Sequence, residues 1–158
     1  MKKYELTSET KVINGVELHR IKALDSFGSV KKGELGGWIE SEKNLSQYGD
    51  AWVYGDATVR GNAKVRGNAV VRGNATVGKS ADYIVFKNWW SSGRYFTWTR
   101  SNNKWSVGCF YGSGEELIAK AYKDSEKSGR EYERVVKYVN DILKEEDNDN
   151  GNRNKCED

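Results

Sequence analysis

Val53-Tyr-Gly-Asp-Ala-Thr58, Val59-Arg-Gly-Asn-Ala-Lys64, Val65-Arg-Gly-Asn-Ala-Val70, Val71-Arg-Gly-Asn-Ala-Thr76 and Val77-Gly-Lys-Ser-Ala-Asp82 follow one another without a gap. Each hexad opens on valine and carries alanine at its fifth position. An α-helix does not repeat every six residues, and a simple strand alternates every two. One aliphatic and one small inward position per six residues predict a triangular coil. Each hexad is one short side, and the Gly-Asn or Gly-Asp pair turns the corner. Three hexads close one coil, so residue n stacks on n+18 at the strand spacing of about 4.8 Å. Val53 is then expected on Val71, Val59 on Val77, Ala51 under Ala69 and Ala57 under Ala75. Asp50 should meet Asn68, Asp56 should meet Asn74, Trp52 should meet Val70, and Tyr54 should meet Arg72.

Working outward, Lys11-Val12-Ile13 and Val16-Glu17-Leu18-His19 flank Asn14-Gly15, a strong hairpin signal. After Ala81, a strand is expected over 81–86 and a hairpin with arms 94–100 and 104–110. Ser113-Gly114-Glu115-Glu116 fits a capping box opening a helix. A second helix is expected from Glu126 to Lys144, with Tyr132, Val135, Val136, Val139, Ile142 and Leu143 on one face. The acidic, Asn-rich residues that follow are expected to be disordered. The expected fold class is mainly β. A short left-handed parallel β-helix (38–81) carries an N-terminal hairpin cap (1–37), a small aromatic α+β module (82–144) and a tail (145–158). So few coils bury little surface and leave open ends, which calls for caps or for neighbours, most simply a homotrimer.

The net charge is +3, unevenly spread. Residues 1–56 carry 8 Lys/Arg and 9 Asp/Glu, residues 57–112 carry 9 and 1, and residues 113–158 carry 9 and 13. The basic middle third suits an anionic partner, or the chain's own acidic end. No apolar run is long enough to cross a bilayer, and the opening residues lead into no apolar stretch. A cytoplasmic protein without membrane contact is expected. Cys109 and Cys156 are too few for a zinc site and too far apart for an expected disulfide. Cys109 is expected to be buried.

Tandem Val-Arg-Gly-Asn-Ala resembles the hexapeptide-repeat superfamily of left-handed β-helices, which includes many trimeric acyltransferases. More of the chain resembles a group of bacteriophage and prophage hexapeptide-repeat proteins. That likeness rests on Leu35-Gly-Gly-Trp-Ile-Glu40, Asn44-Leu-Ser46, Ala51-Trp-Val-Tyr-Gly55, Val107-Gly-Cys-Phe110, and Gly112 with Glu115-Glu-Leu117. The group has no assigned activity. The resemblance implies an accessory protein that binds host components, including defence systems.

The residues speak against catalysis. The acyltransferases use a histidine in a cleft between subunits. Here the one histidine, His19, falls in the expected hairpin, and no long loop interrupts the repeat. No phosphate-binding loop or metal-ligand cluster is present, and no cofactor is expected. Between 86 and 111 nine aromatics crowd into 26 residues with Lys87, Arg94, Arg100 and Lys104 among them. Such interleaving suits a nucleotide or a single strand; it equally suits an aromatic core or a protein interface. The candidate partner-binding residues are Arg60, Lys64, Arg66, Arg72, Lys87, Trp89, Trp90, Arg94, Arg100 and Lys104. The expected function is a non-catalytic, phage-type binder that captures or blocks a host protein, nucleoprotein complex or nucleotide signal. The alternatives are an acyltransferase-like enzyme and a structural phage assembly protein.

Overall fold

The computed structural model describes residues 2–156, with side chains through Asn148. Strands β1 (Tyr4–Ile13) and β2 (Val16–Ala23) form the expected hairpin, with Asn14 at φ 51° and Gly15 at φ 81°. Strand β3 (Leu35–Ile39) pairs antiparallel with β2 and then parallel with a strand of the repeat. The repeat contributes four two-residue strands: β4 (Trp52–Val53), β5 (Thr58–Val59), β6 (Val70–Val71) and β7 (Thr76–Val77). Their partners are parallel. Trp52 faces Val70, Val53 faces Val71, Thr58 faces Thr76 and Val59 faces Val77. Repeat glycines 55, 61, 67 and 73 take φ between 56° and 67°, the left-handed turn a side chain disfavours. Between them Ala51, Val53, Ala57, Val59, Ala63, Val65, Ala69, Val71, Ala75 and Val77 are buried in one core.

The fold class differs from the expected mainly β, left-handed parallel β-helix. The described residues form a mixed α+β structure with three separate sheets, ordered β1-β2-β3-β5-β7, β4-β6, and a four-stranded sheet from the next segment. None of these sheets closes or runs on as a solenoid. The physical reason lies in strand length and partners. Two-residue strands make ladders too short to merge, and β5 and β7 extend the N-terminal hairpin sheet through β3.

The four-stranded sheet runs β11-β10-β9-β8, all antiparallel, from β8 (Tyr83–Lys87), β9 (Tyr95–Thr99), β10 (Lys104–Val107) and β11 (Phe110–Gly112). Alternation on β9 sends Thr97 toward the repeat, where its Oγ1 accepts the Val70 amide at 3.0 Å. Ser101 Oγ accepts the Thr76 amide at 2.8 Å. Both amides are left over by the parallel pairing, so the sheet caps the repeat. Phe96, Trp98 and Trp105 are buried, with the Phe96 and Trp98 rings 6.1 and 6.5 Å from Trp105.

The chain divides into two compact units, Met1–Ser113 and Gly114–Asp158. The four-stranded sheet therefore belongs with the repeat rather than with the helices, unlike the expected 82–144 module. The second unit is a helical pair, α1 (Gly114–Asp124) and α2 (Glu126–Cys156). Helix α2 continues past Lys144, in place of the expected disorder. The end of the expected tail, residues 157–158, lies outside the described residues, as does the Cys156 side chain. No described helix is long and apolar enough to cross a membrane.

The other edge of the repeat is capped by Lys3 and the first residue of β1. The Lys3 ammonium donates to the carbonyls of Ala51 at 2.8 Å and Gly49 at 3.2 Å, and Tyr4 Oη donates to the Leu45 carbonyl at 2.6 Å. Burial lowers the Lys3 pKa to about 8, opposed by the Asp50 charge. The unfolded chain keeps this proton to 10.5, so between these values it binds more protons than the folded chain. Stability should therefore rise as pH climbs from 8 toward 10. Above pH 10 it should fall, because burial raises the Tyr4 phenol and holds its proton in the folded chain. Urea unfolding across pH 7 to 11 reads both limbs; Lys3→Met should abolish the rise and keep the fall.

Candidate anion-binding cleft

Because the sheet docks on the repeat, residues far apart in sequence line one cleft of about 630 Å³. The repeat and the turn before it give Asp50, Tyr54, Asn68, Val70 and Arg72. The sheet gives Arg94, Tyr95, Thr97, Ser106, Gly108 and Cys109, and Gly28 and Ser29 complete the lining.

Arg72 is held firmly. Its Nη1 donates to the Gly108 carbonyl at 3.3 Å, and its guanidinium carbon lies 5.6 Å from the ring centres of both Tyr54 and Tyr111. The Tyr54 contact is what the eighteen-residue stack predicts. Burial raises both phenols above their ordinary pKa, while the nearby Arg72 charge pulls each back. Both rings are therefore neutral at physiological pH and present π faces to the cation. Arg94 is exposed, close enough to Gly108 that a Cβ there would overlap its guanidinium. Neither Arg72 nor Arg94 has a carboxylate within ion-pair distance among the described residues. The acid in the lining is Asp50, which acts electrostatically on Lys3.

The structure gathers two of the ten expected binding residues here, Arg72 and Arg94. Arg60 is half-buried, while Lys64 and Arg66 are exposed, and none of the three lines the cleft. Arg100 Nε donates to the Ala81 carbonyl at 3.1 Å, and the side chain lies over Trp98. Lys104 pairs with Thr99 inside the sheet, and Lys87 pairs with Tyr95. Trp89 is 65% exposed, edge-on to half-buried Trp90, which packs against Phe96. The aromatic cluster thus splits. Phe96, Trp98 and Trp105 are core, and Trp89 and Tyr95 face outward. Cys109 is exposed, contrary to expectation, because it sits in the turn joining β10 and β11. His19 pairs with Ile39 inside the first sheet, away from the cleft, with Glu17 3.8 Å away.

Sequence reasoning does not single out Asp50, Tyr54, Asn68, Tyr95 or Gly108 as site residues. The stacking rule pairs Asp50 with Asn68 and Tyr54 with Arg72, which is the signal that could have found four of the lining residues. Fold and cleft together define a mixed α+β chain with an arginine- and tyrosine-lined recess. No protein-family model matches the chain, and no curated protein matches it.

Proposed function

We propose that this chain is a non-catalytic binding protein that captures an anionic component of its host through the Arg72–Arg94 cleft. The observation that carries the reading is the convergence of two guanidiniums in one recess without carboxylate partners among the described residues. Uncompensated guanidiniums recognise phosphate or carboxylate groups by paired N–H donors. The resemblance to phage and prophage hexapeptide-repeat proteins supplies the setting: a counter-defence inhibitor acting in the host cytoplasm on a nucleotide signal or a nucleoprotein complex. The same resemblance suggests a homotrimer. Three clefts on one particle would strengthen weak single contacts with a partner that presents several anionic groups, as a nucleoprotein complex does. Sedimentation tests this directly, with three times 17.9 kDa as the expected mass.

Pyrophosphate is the simplest probe of the cleft. At a hundredfold excess over its dissociation constant it should stabilise the fold by about 2.7 kcal/mol. Thermal unfolding with and without pyrophosphate reads this, and no shift at millimolar concentrations would remove the proposal.

A further inference from the structure

We infer that the ligand class of this cleft is a nucleotide bearing at least two phosphates, with its base against the Tyr95 ring. The inference rests on the anion-binding reading above and goes further by naming the organic part. Four features carry it. A recess of about 630 Å³ has the size of a small-molecule site rather than of a polymer track. Only Arg72 and Arg94 of the expected basic residues converge there, which matches a short run of charge; Arg60, Lys64 and Arg66, which could have extended a track for a strand, lie outside.

The third feature is Tyr95, which lines the recess and is 46% exposed, so its ring is open to a planar partner. Aromatic faces stack any nucleobase. Fourth, the uncharged amide of Asn68 and the carboxylate of Asp50 share the lining. A carboxylate repels phosphate but accepts from ribose hydroxyls or an exocyclic amine. The mixture of cations, an open ring and one acid therefore fits a molecule that is anionic at one end and a hydrogen-bond donor at the other. Bare phosphate leaves the ring and the acid unused.

The test is calorimetric titration of the full chain with pyrophosphate, ADP, GDP and oligothymidine. ADP or GDP should bind about tenfold or more tightly than pyrophosphate, the worth of one stacked base. Tyr95→Ala should bring that ratio toward one, and Tyr95→Phe should preserve it, which separates stacking from a general loss of structure. If pyrophosphate binds and neither nucleotide binds more tightly, the nucleotide inference falls and the anion cleft stands. If no probe binds, both fall. Oligothymidine binding more tightly than ADP and GDP would overturn the inference in favour of a strand.

Discussion

Trp52→Ala is expected to cost the first unit about 3–5 kcal/mol, a large fraction of the stability of an ordinary domain. The ring is wholly buried, with Phe27 edge-on at 5.3 Å and Tyr4 at 6.2 Å. It also fills the space that Gly36 leaves. A Cβ on Gly36 would stand 2.6 Å from Trp52 Cζ2 and 2.7 Å from the Val53 carbonyl oxygen. One side chain thus joins β1, the Phe27 loop, β3 and the repeat. Truncation opens a cavity in all four, and backbone held in paired strands relaxes little to fill it. Trp89→Ala removes the same chemical group from a site 65% exposed and should change stability by less than about 0.5 kcal/mol. Urea unfolding followed by far-ultraviolet circular dichroism compares the two. Equal losses would show that Trp52 is not the joint described.

Arg94→Gln should weaken pyrophosphate binding by about tenfold or more while leaving the unfolding midpoint in place. A hydrogen bond to a charged group is worth about 1.5–3 kcal/mol, and glutamine keeps the polarity without the charge. Arg94 is exposed and has no ion-pair partner among the described residues, so its loss breaks no structural contact of that kind. Arg72→Gln should differ. That side chain also holds the Gly108 carbonyl and lies over Tyr54 and Tyr111, so binding and stability should fall together. Calorimetry and thermal unfolding on both variants separate the roles. Affinity should also weaken as salt rises, because the site is partly open to solvent screening.

What the sequence discloses is local or periodic. Asn14-Gly15 specifies its hairpin because both residues adopt positive φ. The hexads specify which valine meets which, and Trp52 on Val70 and Val53 on Val71 follow from counting alone. The class of fold is a different kind of property. It depends on β3 bridging the hairpin to β5, and on two-residue ladders staying separate, neither of which a period reveals. Helix α2 outruns its expected end because the apolar stripe fades after Leu143, whereas backbone hydrogen bonding needs no stripe. The cleft is half legible. Tyr54 with Arg72 falls out of the stack, but Arg94 and Tyr95 arrive by the docking of β9 through Thr97.

The most direct test of the anion-binding cleft is a nitrogen-15 amide correlation spectrum recorded during pyrophosphate titration. The amides of Asn68, Arg72, Arg94, Tyr95 and Gly108 should shift together and saturate with one dissociation constant. Saturating shifts confined to the exposed basic residues Lys64, Arg66 and Lys87, with the cleft amides unmoved, would contradict it.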